Sequence, residues 1–247
     1  MKKAQAFGKN KDTTMFEKPN PIAKKYASID LAGREAINEQ NIQEFLGFSE
    51  DLKRNFTGVM EFVLESQQVV QERILSRLET IGAECGIDFL LAGRDYPLHS
   101  TILEGRAGED LDEQERNDTF VSIGETEGFK QAMTPLEGID LEYKYLLIDK
   151  GNILLTAMDI PDEIIKARAS LSALYADYGL APRPLENILH ISLARIVKLP
   201  KDGNTAVMLE KYKREMIKLR HAISVDPLVL EVSNISKGST YEILTRS

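Results

Sequence analysis

Two spacings of apolar residues alternate along this chain. Short runs rich in Val, Ile, Leu and Phe have the composition of strands, and longer stretches with apolar residues three or four apart have the period of helices. TGVMEFVLE at 57–65 belongs to the first kind. Residues 66–84 belong to the second. Val69, Val70, Ile74, Leu78 and Ile81 fall near helical spacing, Ser66 can cap the start, and Gly86 follows the end. DFLLAG (88–93) and PLHSTILEG (97–105) then read as extended.

The same order returns further on. NILLTAMD (152–159) predicts a strand. PDEIIKARASLSALYADYG (161–179) predicts a helix, with Pro161, Asp162 and Glu163 at its start and Gly179 at its end. ILHISLARIVK (188–198) predicts the next strand. Val59 and Asn152, which start matching strands, are 93 positions apart, and His99 and His190 are 91 apart. Two strand–helix–strand units in nearly one register suggest an internal duplication, carried by pattern rather than by identical letters.

The remaining segments are plainer. Residues 1–25 are polar and Lys-rich and contain Pro19 and Pro21, which predicts a disordered arm. Residues 26–55 predict a helical extension, with one or two short helices in 30–54, and 56–247 form the main domain. EGRAGEDLDEQERND (104–118) carries seven acidic and two basic residues and reads as a solvated loop or helix face. It lacks the alternating spacing of a calcium loop. TAVMLEKYKREMIKLRHAI (205–223) predicts a helix, and 226–235 with 240–246 predict a closing hairpin turning at Gly238.

Composition narrows the classes of function. The chain has 247 residues, 43% of them hydrophobic, enough for a full core. Its net charge is −8, yet residues 1–25 hold seven lysines against Asp12 and Glu17, which leaves −13 on the rest. An acidic body suits a small nucleotide or an RNA end better than long duplex nucleic acid, whose affinity comes from Lys and Arg on phosphates. Neither a secretory signal nor an apolar run of membrane-spanning length is present, so a cytoplasmic protein, as a monomer, is expected. One cysteine, Cys85, excludes an internal disulfide and a multi-cysteine zinc site, and reads as a buried structural thiol.

Only three histidines remain as candidates for proton transfer. Two share a pattern: His99-Ser100-Thr101-Ile102 and His190-Ile191-Ser192-Leu193. Alternate residues of a strand share a face, so His99 lies with Thr101 and His190 with Ser192. Two imidazoles can serve as base and acid for one phosphodiester, while hydroxyls steady the nonbridging oxygens. This scheme needs neither metal nor cofactor. His221, in LRHAIS, lacks the pattern and reads as a helix-end or surface residue.

In these two motifs the chain resembles the 2H phosphoesterases, a family named for paired H-x-T/S-x motifs on duplicated halves. HISLAR is similar to the second motif of the RNA ligase-like and cyclic phosphodiesterase members, and HSTILEG to a diverged first motif. The likeness spans about 56–246. It implies an α+β, bilobal fold, with two antiparallel sheets facing a central cleft and helices outside. It also implies metal-independent cleavage of a 2′,3′-cyclic phosphate or an RNA or oligonucleotide end. His99 and His190 would be the acid/base pair, and Thr101 and Ser192 the phosphate-binding hydroxyls.

Ser192 stands where Thr is commoner in the family, and Glu104 replaces an apolar residue after the first motif. Arg195, three residues beyond Ser192, faces away from it on a regular strand, and is a candidate for substrate phosphate contact or for a salt bridge or surface role. Tyr96, Tyr143 and Tyr145 are candidates for stacking on a base or for plain packing. Two further functions fit the residues. One is a nucleotide-binding module of the same fold without turnover, and the other is an enzyme degrading cyclic oligonucleotides. An interaction protein built on the acidic surface and the Lys-rich arm would instead make both histidines structural.

Overall fold

In HISLARIVK and HSTILEGR, inward and outward positions alternate, and this alternation builds the centre of the molecule. In a computed structural model, which describes residues 21–37, 57–62, 67–96, 98–106, 113–183, 188–199, 204–232 and 234–238, both segments are strands of one antiparallel sheet. The strands are β1 (Thr57–Phe62), β2 (Asp88–Leu91), β3 (His99–Arg106), β4 (Asp140–Asp149), β5 (Asn152–Ala157), β6 (Ala181–Arg183), β7 (His190–Lys198), β8 (Leu228–Glu231) and β9 (Asn234–Gly238). Their order is β8-β4-β5-β7-β3-β1-β9, with β2 beside β7 and β6 beside β3. The architecture is therefore α+β with antiparallel pairing.

Where two sheets were expected, pairing runs continuously through a narrow waist. β3 and β7 share one registered pair, Ser100↔Ile191. Beyond it each strand takes a short partner on the same side. β3 pairs β6 from Glu104 to Arg106, and β7 pairs β2 from Ala194 to Lys198.

β8 and β9 lie at opposite ends of the strand path, yet only Val232 and Ser233 separate them in the chain. Three peptide steps reach at most about 11 Å. The sheet must therefore curl until its two edges approach each other. This overturns the predicted closing hairpin. Lys237 and Gly238 pair with β1 as strand rather than forming a turn. Residues 240–246 lie outside the described residues.

The helices predicted over 66–84, 161–179 and 205–223 are present with shifted ends. α1 is Pro21–Ala36. α2 runs over 67–85 in three abutting segments, Gln67–Val70, a π-helical Gln71–Leu75, and Ser76–Cys85. Gly86 ends it in the left-handed region at φ 65°, as a glycine cap requires. Ser66 lies outside the described residues. α3 (Glu113–Glu125), α4 (Glu127–Met133), α5 (Asp162–Asp177) and α6 (Thr205–Val225) complete the set. α3 includes the second half of the acidic stretch. One contiguous apolar core takes in strand residues such as Ile102, Leu155 and Ile191 together with Leu78 of α2, Leu171 of α5 and Met216 of α6. Among the described residues no helix is long and apolar enough to cross a membrane.

α1 corrects the expected boundary of the arm, since Pro21–Lys25 are already helical. Proline presets the backbone of a first helical turn. Tyr26, Asp30, Gly33 and Ile37 then recur three or four apart and form the buried stripe. Gly33 lies against β4 so closely that a Cβ would stand 2.0 Å from the carbonyl oxygen of Ile148. Helix and strand backbone must part to admit it. Gly33→Ala is expected to lower the unfolding free energy read from urea titration by about 1–3 kcal/mol, the range for overpacking. A gain in stability, as for alanine in an open helix position, would contradict the contact.

Beyond β8 the outer edge of β4 is closed by side chains rather than by a strand. Arg220 Nε of α6 donates to the carbonyl of Leu146 (2.6 Å), and the Ile148 N–H donates to Asp30 Oδ1 (3.0 Å). Arg220 and Asp30 are themselves ion-paired. The outer edge of β2 is closed in the same way. Arg94 Nη2 donates to the Phe89 carbonyl (3.1 Å), the Leu91 N–H donates to Asp95 Oδ2 (2.7 Å), and Arg94 pairs with Asp95. In both places an Arg–Asp pair supplies the donor and the acceptor that a further strand would have supplied. This removes an open pairing edge.

Candidate active site

His99 opens β3 and His190 opens β7. Carrying the Ser100↔Ile191 register one residue each way sets His99 opposite Ser192 and Thr101 opposite His190. Ser100, Ile102, Ile191 and Leu193 are buried, while His99, Thr101, His190 and Ser192 keep partial exposure. Opposed residues of an antiparallel pair share a face. The waist thus brings both imidazoles and both hydroxyl side chains to one side of the sheet.

Several side chains fix this arrangement. Ser100 Oγ, on the buried side, donates to the His190 carbonyl (2.8 Å). The Tyr96 hydroxyl donates to the Ser192 carbonyl (3.1 Å), and its ring meets the His99 ring edge-on, with centroids 6.4 Å apart. On β5, Thr156 lies opposite His190 and donates to the Tyr145 carbonyl (2.9 Å). Arg168 of α5 donates from Nε to the Ile102 carbonyl and from Nη2 to the Ile188 carbonyl, both at 2.7 Å. Tyr26 of α1 donates to the Ala157 carbonyl (2.9 Å), and the Ala157 N–H in turn donates to the carbonyl of Leu189, just before His190.

Electrostatics separate His190 from an ordinary imidazole. Burial, then the nearby His99, then Arg168 lower its pKa to about 4. His190 is therefore neutral throughout the physiological range. In the unfolded chain it accepts a proton near pH 6.5, so acid favours unfolding between those two values. At pH 4.5 this linkage is expected to cost about 2–3 kcal/mol relative to pH 7. Urea titrations at both pH values should show a smaller loss for His190→Gln than for wild type. Equal losses would show that the folded imidazole titrates normally.

The other candidates occupy different surroundings. Tyr143 is fully buried, so the core reading replaces the stacking one. Tyr145 is already sandwiched, with Tyr26 stacked at 6.3 Å and the Arg220 guanidinium 5.4 Å above its ring. Tyr96 is buried beside His99 and offers a brace rather than a free ring. Arg195 donates to Asn152 Oδ1 (2.8 Å) on the neighbouring strand. His221 is exposed on α6. Cys85 is buried, and burial raises its pKa. Among the described residues no group of three or more His, Cys, Asp and Glu is placed to hold a metal ion.

Sequence reasoning missed Ser100, Tyr26 and Arg168. A signal for Arg168 existed. It lies in line with Ile164, Leu171 and Tyr175, the buried stripe of α5, where a charge is costly unless it is engaged. Tyr26 gave no such signal, because it follows two lysines at the edge of the Lys-rich segment.

No protein-family model matches this chain, and no curated protein does. Among solved structures, this chain is similar to a conserved protein of unknown function from Agrobacterium tumefaciens str. C58, over 87% of this chain and 97% of that one, at 13% identity and a TM-score of 0.40.

Proposed function

We propose that this protein is a phosphodiesterase of the 2H type. In this reading it cleaves a small nucleotide phosphodiester, such as a 2′,3′-cyclic phosphate or an RNA end, without a metal. One observation carries the reading: His99, Thr101, His190 and Ser192 share one face of the β3–β7 waist, each histidine opposite the other motif's hydroxyl residue. Two-fold architecture belongs to the same proposal. β1 with β3 and β5 with β7 are equivalent pairs, β6 and β2 are exchanged between them, and the left-handed glycines Gly86 and Gly179 are 93 residues apart. A single buried thiol at Cys85 fits a reducing, cytoplasmic setting.

The chemistry then follows from protonation. His190, held neutral, accepts the proton of the attacking water or ribose hydroxyl as its oxygen bonds to phosphorus. His99 gives a proton to the oxygen that leaves as the old P–O bond breaks. Thr101 and Ser192 donate hydrogen bonds to the nonbridging oxygens as charge grows on them. A base that titrates at about pH 4 keeps its activity well into mild acid. The test is to mix the protein with the four nucleoside 2′,3′-cyclic monophosphates in EDTA and identify the product by 31P NMR. One monoester, 2′ or 3′, should form. If EDTA stops turnover, or if neither these nucleotides nor cyclic-phosphate-ended RNAs are consumed, the reading is wrong.

A further inference from the structure

We propose that Arg168 is a positioning residue that sets the separation and alignment of His99 and His190 by tying together the two strands that carry them. The inference rests on the functional reading above and names how that site is held in register. β3 and β7 meet through one registered pair, Ser100↔Ile191. Two strands joined at a single pair can pivot about it. Continuing the register would put Ile102 beside Leu189, but the Leu189 carbonyl is taken by the Ala157 N–H of β5. No further pair is registered between β3 and β7 there, and the Arg168 guanidinium bridges the two strands.

The geometry is that of a fork across a gap. Nε reaches the Ile102 carbonyl, three residues past His99, and Nη2 reaches the Ile188 carbonyl, two residues before His190, each at 2.7 Å. A planar guanidinium can hold two acceptors in fixed directions, whereas an ammonium on a flexible stem cannot. Of the other two braces, Ser100 acts from the pivot itself on the His190 carbonyl, and Tyr96 acts on the opposite side of it at the Ser192 carbonyl. Arg168 touches both strands beyond the pivot, at Ile102 and Ile188. Its position between two backbone carbonyls, rather than at the open face, separates this role from phosphate binding.

The test uses full-length Arg168→Met and Arg168→Lys. Steady-state turnover of a nucleoside 2′,3′-cyclic phosphate is measured beside NMR titration of the three imidazoles. Misalignment of about 1 Å costs on the order of 10²-fold in rate, so kcat should fall by that order in both variants while KM stays within about twofold. Lysine keeps the charge and loses the fork, so its kcat loss shows that alignment, not charge, is at work. The charged and titratable groups that act on His190 are His99 from β3 and Arg168 from α5, and Thr156 of β5 lies opposite it. In wild type, His99→Gln should raise the His190 midpoint. The same substitution should raise it less in Arg168→Met, because the rings have moved apart. His221 should not respond in any variant.

A kcat within about threefold of wild type in both folded variants, with His99–His190 coupling unchanged, would overturn the proposal. Should Arg168→Met fail to fold, Arg168→Lys and Ser100→Ala carry the same two readouts. If wild type turns over none of these substrates, the functional reading falls. The coupling measurement then decides alone whether Arg168 holds the two rings together.

Discussion

Replacing either His99 or His190 with alanine is expected to lower kcat on a 2′,3′-cyclic phosphate by about 10²–10⁴-fold, the usual contribution of one positioned acid or base. The two effects should not multiply. Once either proton transfer is lost, the remaining imidazole has no concerted step to serve, so the double variant should fall little below the worse single one. KM should change far less, because Thr101 and Ser192 still hold the nonbridging oxygens. Thr101→Val or Ser192→Ala should each cost on the order of 10²-fold in kcat, as for loss of one donor to a developing oxyanion. His221→Ala serves as the control, since its ring is exposed on α6 away from the waist. Steady-state kinetics on all six variants decide the matter. Near-wild-type turnover by His190→Ala would remove the base from the mechanism.

Asp30→Ala is expected to be the most destabilising single change on the sheet edge, by about 3–5 kcal/mol, the range for removing one partner of a buried ion pair. The Asp30 side chain is 1% exposed and holds three donors: the Ile148 N–H, Arg220, and Arg34 Nε at 2.9 Å. Its loss strands a partly buried guanidinium and an edge N–H together. Asp30→Ala combined with Arg220→Met should recover part of the stability, because the second change removes the uncompensated charge. Urea unfolding of the four members of this cycle measures it. Independent, additive effects would mean that the pair does not act as a unit. α1 then acts as more than an appended helix. It supplies the carboxylate that finishes the β4 edge, and Tyr26 from the same helix steadies Ala157, whose N–H holds Leu189 next to His190.

Period and punctuation made much of this legible. Apolar residues at helical spacing gave α2, α5 and α6, and Gly86 and Gly179 marked two of their ends. Alternation gave β3 and β7, and with them the faces of His99, Thr101, His190 and Ser192. The order of strands was not legible. Residues 226–235 look like one strand, yet they divide into β8 and β9 at opposite ends of the path, because the sheet's curl decides pairing and no local pattern encodes it. α1 was also missed at its start, since its buried stripe of Tyr26, Asp30 and Gly33 holds a charge and a glycine where apolar residues are expected. Those two residues suit a strand edge rather than a core. Tyr143 and Tyr145 show the same limit, because alternate positions of one strand, separated by a register shift, went to the core and to a stacked pair with Tyr26.

One measurement addresses the central claim, that His99 and His190 act together on one phosphate. With only three histidines, the imidazole resonances can be assigned by single substitutions and followed while a nucleoside 2′- or 3′-monophosphate is added in EDTA. The account predicts that His99 and His190 shift together along one saturation curve, and that His221 stays still. If neither motif histidine moves at saturating nucleotide, or if they follow separate curves, the two imidazoles do not share a phosphate and the proposed chemistry is contradicted.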